Sequence, residues 1–403
     1  MSLSKIISSI LVIILIYTIT TQPVLAEYQT ETIVNDLKAP WSVVFTPDDR
    51  IIISERGGNL IIINQSRTSI IKIPVLGFPF TTEGGLLGIT SSPTFQQNNY
   101  IYIYMTYQEI FDIKNKVTRY TLINDTISDE QTIIDDIPGS AVHNGGRIKF
   151  GPDGKLYITT GDAQKPQLSQ DINSLAGKIL RINPDGTIPQ DNPFTNSPVY
   201  SYGHRNPQGL DWNHNGTLLI TEHGPSGEFG KRAHDEINVI HAGQDYGWPS
   251  IFTDEFDDTI RPVLDTKDET WAPSGAVFYT SENIESLSGK FIVATLYGKH
   301  LRVIDVDTSG VVKSSIPILN EFGRLRDATI GPDGDLYILT SNRDSRGTPQ
   351  EGDDKLLRIT QGVELDKCRG DCIQMLRLGG EEVCVFLLHV QVLENRGWIQ
   401  TSE

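Results

Sequence analysis

The segment Val142–Arg147, with the sequence VHNGGR, sets a histidine beside two glycines. Glycine lets the backbone approach a ligand closely, and a free imidazole titrates near neutral pH, where it can act as a general base. The segment therefore makes His143 a candidate catalytic base. A structural histidine bonded to the backbone is the other interpretation, and the residues alone leave both open.

Two further segments concentrate arginine and amide side chains. One carries Arg205, Asn206 and Gln208, and the other carries Arg324 and Arg326. Guanidinium groups donate paired hydrogen bonds to carboxylates and to similar oxygens. Side chains two residues apart on a strand face the same side, so the second segment predicts an anion site. The alternatives are a polar structural loop for the first segment and surface salt bridges for the second.

Oxygen donors for a metal ion are grouped in a third region. Glu222–Pro225 (EHGP) is followed by His234–Asn238 (HDEIN). Carboxylates and backbone carbonyl groups are the hard donors that calcium prefers, although the spacing is not that of an EF-hand loop. Taken together, the segments suggest a base, several cationic donors and a calcium ion around an anionic ligand or cofactor.

These segments alternate with six β-hairpins that recur along the chain. Each hairpin follows a turn rich in Gly, Pro, Asp or Asn and begins with a β-branched or aromatic run. The predicted strand pairs are Arg50–Ser54 with Leu60–Asn64, Tyr100–Tyr104 with Val117–Leu122, Lys155–Thr159 with Lys178–Ile182, Thr217–Thr221 with Glu236–Ile240, Lys290–Ala294 with His300–Ile304, and Asp335–Thr340 with Lys355–Ile359.

The repeat predicts an all-β, six-bladed β-propeller over residues 27–360. We expect Gln29–Val34 to complete the last blade and close the ring. A β-sandwich with coincidental turns is the alternative, but the near-identical strings GPDGKLYIT and GPDGDLYIL argue against coincidence. Function in propellers lies in loops at one end of the central channel. The segments that carry the histidine, the arginines and the oxygen donors are therefore expected to converge there.

The ends of the chain and its charge add further expectations. Residues 1–26 have a positive start at Lys5, an apolar run and the sequence VLA before Glu27, which is typical of a secretory signal peptide. An uncleaved, weak membrane anchor is the alternative, and either predicts an extracytoplasmic location, whether secreted, periplasmic or at the cell surface. The tail, 361–403, holds all three cysteines and no repeat. The net charge of −17 excludes nucleic acid as a partner, and the oligomeric state stays open.

In combination, the motifs resemble those of the soluble glucose/sorbosone dehydrogenases that depend on pyrroloquinoline quinone (PQQ), near the aldose sugar dehydrogenase branch. The resemblance covers residues 35–360 and rests on APWSVVF, GGLLGI, HNGGRIKFGPDGKLYITTGD, GKILRINPDG, YGHRNPQGL, EHGP, HDEIN, YGWP and GRLRDATIGPDGDLYIL. It implies a six-bladed propeller with PQQ and calcium as cofactors. It also implies that an aldose sugar is oxidised at its anomeric carbon to a lactone, with electrons passed to an external acceptor.

The resemblance assigns roles to the candidate residues. His143 would be the base that takes the proton of the anomeric hydroxyl while a hydride passes to the quinone, and Asp162 would orient it. Arg205 would polarise the quinone oxygens with Asn206 and Gln208 beside it. The remaining implied roles are carboxylate anchoring for Arg324 and Arg326, calcium binding through the carbonyl groups of Gly224 and Pro225, and a second, structural calcium site for Glu236 and the carbonyl group of Tyr246.

Two positions depart from the family pattern. In blade five the family often has a basic residue after leucine, where this chain has Leu296 and Tyr297, with Lys299 two places on. Either Tyr297 replaces that contact or Lys299 reaches the cofactor. A cofactor-binding glutamine corresponds to Glu83 here. Losing a cation and gaining an anion is expected to weaken the binding of an anionic cofactor.

The leading hypothesis is a PQQ- and calcium-dependent sugar dehydrogenase. One rival is a non-catalytic extracellular binding propeller, which predicts loss of the base or of the arginines, whereas this chain retains both. A second rival is a calcium-dependent lactonase, which requires a central metal held by carboxylates and amides from several blades, and the sequence gives no clear set of them.

Overall fold

Six antiparallel sheets of four strands make up the body of the protein. The structure is a computed structural model and describes residues 28–64, 67–73, 83–110, 112–230, 232–250, 259–362, 372–376, 382–386 and 399–400. Within the first three sheets in chain order, the strands are β2 (Pro40–Phe45), β3 (Ile51–Glu55), β4 (Asn59–Asn64) and β5 (Arg67–Lys72); β6 (Leu86–Ser91), β7 (Tyr100–Glu109), β8 (Asp112–Ile123) and β9 (Thr126–Pro138); and β10 (Ile148–Phe150), β11 (Leu156–Thr160), β12 (Lys178–Ile182) and β13 (Val199–Tyr202).

The other three sheets repeat the arrangement, and strand β1 (Tyr28–Val34) joins the last of them. Their strands are β14 (Pro207–Trp212), β15 (Leu218–Glu222), β16 (Glu236–Ile240) and β17 (Leu264–Asp265); β18 (Pro273–Phe278), β19 (Phe291–Thr295), β20 (Leu301–Val306) and β21 (Val312–Ile318); and β22 (Leu325–Ile330), β23 (Leu336–Thr340) and β24 (Leu356–Gln361). One short helix, α1 (Phe95–Asn98), and 3-10 turns at Pro166–Ser169, Glu228–Gly230 and Glu285–Leu287 lie between strands.

The predicted six-bladed propeller is confirmed. Each predicted hairpin forms the second and third strands of one sheet, and all six pair antiparallel. The predicted ring closure is also confirmed, because β1 pairs with β24 from Tyr28 opposite Gln361 to Val34 opposite Leu356. The sequence did not predict the first strand of each blade. In blades three, four and six those strands lie within polar motifs that lack a strand-like apolar run.

Apolar clusters between neighbouring blades hold the ring together. Each of the six clusters among the described residues combines residues of adjacent sheets, and Ile292 of blade five, for example, shares a cluster with Ile338 of blade six. The ring closes in the same way, since Val43 and Ile53 of blade one share a cluster with Leu339 of blade six. Both faces of a blade are therefore covered, which explains why the hairpin strands are apolar without strict alternation.

The antiparallel pairing decides which loops reach the same end of the channel. Pro207, at the start of β14, lies opposite Glu222 at the end of β15, and Leu325, at the start of β22, lies opposite Thr340 at the end of β23. The segment before each first strand and the segment after each second strand consequently open on one face. Most candidate residues come from these two kinds of segment and from the first strands themselves. Glu236, which begins the third strand of blade four, and Tyr246, which follows that strand, are the exceptions.

A buried polar network crosses the channel between the first strands. Arg147 donates through Nη1 to Asp327 Oδ2 and to Ser42 Oγ, both at 2.9 Å. Its guanidinium also stacks on Trp41, with 4.2 Å between Cζ and the ring centre. These hydrogen bonds join blade three to blades one and six. Asp327 also pairs the buried charge of Arg147, which would be costly to leave unpaired.

Residues Tyr28–Gln361 form one compact unit. In the tail, the described strands β25 (Cys372–Leu376), β26 (Glu382–Phe386) and β27 (Ile399–Gln400) pair in the order β26-β25-β27. The predicted signal peptide, residues 1–26, lies outside the described residues, and so does Cys368. Among the helices described, none has the length and apolar character needed to cross a bilayer.

Candidate functional site

His143 and Asp162 form a buried pair at the channel mouth. His143 precedes β10 and Asp162 follows β11, so the blade topology brings them to the same end. His143 Nδ1 and Asp162 Oδ1 are 2.8 Å apart, and Asp162 Oδ2 accepts a hydrogen bond from Trp248 Nε1 at 2.9 Å. A Cβ atom on Gly161 would lie 2.0 Å from the His143 carbonyl oxygen, so only glycine permits this close approach of the two loops.

The other face of the imidazole looks toward Glu228 and Arg205. Glu228 Oε1 lies 3.9 Å from His143 Nε2 and 2.6 Å from Arg205 Nη2. Burial opposes the ionisation of Glu228, but the charge and hydrogen bond of Arg205 outweigh it and lower the pKa of this carboxyl. Arg205 is itself buried and donates through Nη1 to the carbonyl oxygen of His223. His143 is thus flanked by an ion pair.

A cavity of about 330 Å³ opens beside this group, a volume within the usual range of small-molecule sites, about 300–1,000 Å³. All six blades contribute to its wall. The wall residues include Trp41 and Arg56, Glu83, Asn144 and Gly145, Gln208, His223, Gly224 and Pro225, Ala272, Leu296 and Tyr297, and Arg324, Arg326, Asp344 and Arg346. His143, Arg205 and Asn206 do not line the cavity. They form hydrogen bonds to the lining residues Glu83, His223 and Gly145, respectively.

Arg324 and Arg326 reach the cavity as predicted, and Asp344 binds both. Arg324 donates to Asp344 Oδ2 from Nε at 3.0 Å and from Nη2 at 2.7 Å, and Arg326 Nη2 lies 3.6 Å from the same oxygen. Burial works against the ionisation of Asp344, but Arg326 and Arg324 lower its pKa. Burial lowers the pKa of Arg326 to about 9, so this guanidinium remains charged at neutral pH. Both arginines are buried, which rules out the surface salt bridges considered above.

Glu83 has a cationic partner that the sequence did not reveal. Its Oε1 lies 2.7 Å from Arg346 Nη1, and its Oε2 accepts a hydrogen bond from the backbone N–H of His143 at 3.1 Å. Burial disfavours the charged carboxyl, but Arg346, His223 and His143 lower its pKa. The expected loss of positive charge is therefore offset, because Arg346 supplies a cation at the same wall.

Asn206 and Gln208 lie between the loop that carries His143 and the buried Arg326. Asn206 Oδ1 accepts from the backbone N–H of Gly145 at 3.1 Å, and Gln208 Oε1 accepts from Arg326 Nη1 at 3.2 Å. Several buried donors find no partner among the described residues: Asn206 Nδ2, Arg205 Nε and Arg326 Nε. A ligand with carboxylate or carbonyl oxygens would satisfy such donors, which are costly to leave unpaired.

The residues predicted to bind calcium occupy adjoining positions. Gly224 and Pro225 line both the main cavity and a neighbouring space of about 20 Å³, which Glu236 and Tyr246 also line. A Cβ atom on Gly224 would lie 1.9 Å from the Ala233 carbonyl oxygen, so backbone oxygens crowd this point. Burial and the neighbouring Glu222 raise the pKa of Glu236. No group of three or more His, Cys, Asp or Glu in the described part of the chain is arranged to hold a metal, so any calcium site here depends on backbone carbonyl groups.

Tyr297 and Lys299 are placed differently. Tyr297 lines the cavity at its rim with 66% of its surface exposed. Lys299 is exposed and is not among the residues that line the cavity. Of the two alternatives for blade five, the structure therefore places Tyr297 at the site.

Four residues at the site were missed as candidates: Trp248, Glu228, Asp344 and Arg346. Three of them follow the second strand of a blade, in the position that Asp162 and Gly224 occupy in their own blades. A repeat-based alignment of these loops would have directed attention to Glu228, Asp344 and Arg346. Trp248 lies in the YGWP motif, but only the structure shows its hydrogen bond to Asp162.

Comparison with protein families decides the assignment. The model described as Glucose / Sorbosone dehydrogenase matches residues 37–357. The chain belongs to this family. The aldose sugar dehydrogenase of Escherichia coli is 32% identical over 346 residues, which cover 78% of this chain and 90% of that protein. The glucose/sorbosone dehydrogenase family is one of PQQ-dependent aldose and glucose dehydrogenases.

Solved structures of similar proteins show the same fold. The PQQ-bound form of aldose sugar dehydrogenase from Streptomyces coelicolor is 32% identical, with a TM-score of 0.73, and the match covers 83% of this chain and 98% of that one. The soluble aldose sugar dehydrogenase of E. coli in its apo-form is 30% identical with a TM-score of 0.73, over 83% of this chain and 100% of that one.

Proposed function

We propose that the protein oxidises aldose sugars at the anomeric carbon to lactones, with PQQ and calcium as cofactors and an external electron acceptor. The observation that carries the proposal is the His143–Asp162 pair beside a cavity lined by buried arginines. A base held by a carboxylate suits removal of a hydroxyl proton. A cationic cavity of this size suits a small multivalent anion.

His143 acts as the base through its Nε2 atom. Asp162 accepts the hydrogen of Nδ1 and thereby fixes the tautomer in which Nε2 carries a lone pair. When Nε2 takes the proton of the sugar hydroxyl, the hydrogen-bonded carboxyl group of Asp162 stabilises the resulting imidazolium. Arg205 is bonded to Glu228 on this side of the ring, and its buried Nε, which has no partner among the described residues, could donate to an oxygen that becomes more negative.

The residues present fit PQQ, which is a polycarboxylate. Four arginines line the cavity, namely Arg56, Arg324, Arg326 and Arg346, against the three carboxyl groups of Glu83, Asp235 and Asp344. Burial raises the pKa of Asp235, whereas the neighbouring cations lower the pKa of Glu83 and Asp344. This surplus of positive charge favours an anionic occupant. Bound PQQ would supply a two-electron acceptor. Arg324 and Arg326 would hold its carboxylates, with Gln208 and Asn206 near its carbonyl oxygens.

Calcium fits the neighbouring carbonyl cluster. The backbone carbonyl groups of Gly224 and Pro225 would hold the ion that polarises the cofactor, and Glu236 with the Tyr246 carbonyl would form the second site. The N-terminal signal pattern supports action outside the cytoplasm, where an external carrier would take the electrons. Both location and acceptor are part of the proposal.

The test uses the full chain with PQQ, calcium, a redox dye and a panel of aldoses. We expect an absorbance change on PQQ binding and dye reduction with at least one aldose. His143→Ala is expected to bind PQQ normally but to lower kcat by about 10²–10⁴-fold, the usual contribution of a general base. Absence of both PQQ binding and dye reduction would favour a non-catalytic binding propeller. Calcium-dependent lactone hydrolysis without PQQ would favour a lactonase.

A further inference from the structure

Glu228 lies beside the ring nitrogen of His143 that Asp162 leaves free. Asp162 takes Nδ1 of the ring, so Nε2 is the ring nitrogen that can meet a substrate hydroxyl. Glu228 Oε1 lies 3.9 Å from Nε2, which is too long for a direct hydrogen bond. The carboxylate is 30% exposed, so it is open to a bound molecule as well as bonded to the protein.

The separation of 3.9 Å between Nε2 and Oε1 can be spanned by two neighbouring hydroxyl groups. Each O–H···O or O–H···N bond needs about 2.7–2.9 Å between heavy atoms, and two adjacent sugar hydroxyl oxygens lie a similar distance apart. If one hydroxyl of such a pair points to Nε2, the other falls within reach of Oε1. The geometry therefore matches a pair of hydroxyls on adjacent carbons.

We propose that Glu228 determines specificity by accepting a hydrogen bond from the hydroxyl on the carbon next to the reacting one. The substrate class is then aldoses with a free hydroxyl on the second carbon, and 2-deoxy sugars are discriminated against. This inference rests on the proposed sugar oxidation. It adds a substrate contact that depends on a residue outside the motifs of the resemblance.

The surroundings of Glu228 support an acceptor role. Arg205 holds the carboxylate at 2.6 Å and the backbone N–H of Ser226 donates to its other oxygen, which keeps the group oriented. An ionised acceptor makes a stronger hydrogen bond than a neutral one. The adjacent Phe229 is exposed and contacts the edge of Trp248 at 5.9 Å between ring centres. Its apolar ring would border a sugar bound here.

A purely structural role is the competing explanation, in which Glu228 only neutralises Arg205. The two explanations predict different selectivity. A structural carboxylate affects all sugars alike when it is removed, whereas a substrate contact affects only sugars that carry the second hydroxyl. The decisive quantity is the ratio of kcat/KM for D-glucose to kcat/KM for 2-deoxy-D-glucose.

The experiment measures that ratio for the wild-type chain, Glu228→Ala and Glu228→Gln, each saturated with PQQ and calcium as judged by absorbance. We expect the wild type to favour D-glucose by about 10-fold to 100-fold, the discrimination given by a hydrogen bond to a charged group. Glu228→Ala should bring the ratio near one, mainly by lowering kcat/KM for D-glucose. Glu228→Gln should give an intermediate ratio, because its amide oxygen still accepts. Glu282 is exposed and lies between the first and second strands of blade five, at the end of the ring away from His143, so Glu282→Gln should keep the wild-type ratio.

Two results would overturn the inference. Equal kcat/KM for both sugars in the wild type, or an unchanged ratio in Glu228→Ala, would assign Glu228 a structural role while leaving sugar oxidation intact. If the PQQ-loaded wild type oxidised no aldose, the proposed function would fail and this inference with it.

Discussion

Asp162 Oδ1 and His143 Nδ1 are joined by a hydrogen bond of 2.8 Å at the point where two loops of the third blade meet. The contact is buried, since Asp162 is fully enclosed and His143 is 8% exposed. It fixes the orientation of the ring and leaves Nε2 directed at Glu228. The proposed chemistry depends on this relationship more than on any other at the site.

Replacing Asp162 with asparagine should separate catalysis from cofactor binding. The Asp162→Asn side chain would keep the shape but lose the charge that stabilises the imidazolium, and its amide could select the wrong ring tautomer. We expect kcat to fall by about 10²–10⁴-fold, with PQQ affinity unchanged. Steady-state dye reduction and an absorbance titration of PQQ measure the two quantities. A loss confined to PQQ affinity would contradict the assigned role.

The Glu83–Arg346 ion pair should control cofactor affinity. In Arg346→Met the carboxylate of Glu83 remains at the cavity wall without its 2.7 Å partner, so an anionic cofactor should bind about 10-fold more weakly at low salt. Glu83→Gln removes the anion and should bind PQQ at least as tightly as the wild type.

The double variant Glu83→Gln/Arg346→Met provides the control for this pair. If the main role of Arg346 is to neutralise Glu83, the double variant should recover most of the PQQ affinity lost in Arg346→Met. Simple addition of the two single effects in a PQQ titration would show that the residues act independently.

Lys178 should be a strong determinant of stability beneath the site. Its buried ammonium donates to the carbonyl oxygens of Leu168, Ser169 and Ala176 at 2.6–2.9 Å. Ser169 in turn bonds through Oγ to the carbonyl oxygen of His204, next to Arg205. Lys178→Met would remove these three hydrogen bonds, each worth about 1.5–3 kcal/mol when the donor is charged. The Ala176 carbonyl oxygen would lose its donor, whereas the Leu168 and Ser169 carbonyl oxygens would still accept from the backbone N–H groups of Asp171 and Gly203. Urea unfolding should show a loss of several kcal/mol, and Lys155→Met, on a partly exposed residue, should lose far less.

Stability should depend on pH through Asp344. The arginines hold the pKa of this carboxyl below its ordinary value of 3.8, so its contribution is complete above that pH and disappears as the pH falls through the lowered value. The difference in free energy of unfolding between wild type and Asp344→Asn should be constant from about pH 5 to pH 7 and shrink below about pH 4. A difference that grows on acidification would reverse the assigned sign.

Local chemistry explains which parts of this protein were predictable from the sequence. The hairpin strands have apolar runs and Asp-Gly or Asn-Gly turns, so they were found, and the family motifs located His143, Asp162 and the arginines. The first strands of blades three, four and six were missed because polar residues and glycine interrupt their apolar runs. The cationic partner of Glu83 was not found because Arg346 lies in a loop four blades further along the chain. The ring brings such distant residues together, so the sequence around either residue does not indicate the pairing.

The most direct test mixes PQQ-loaded protein with D-glucose in the absence of any acceptor and follows the absorbance of the oxidised quinone. We predict that the wild type consumes about one equivalent of oxidised PQQ per chain, and that His143→Ala, equally loaded, reacts about 10²–10⁴-fold more slowly. No loss of oxidised PQQ in the wild type, or the same rate in His143→Ala, would contradict the proposed sugar oxidation with His143 as its base.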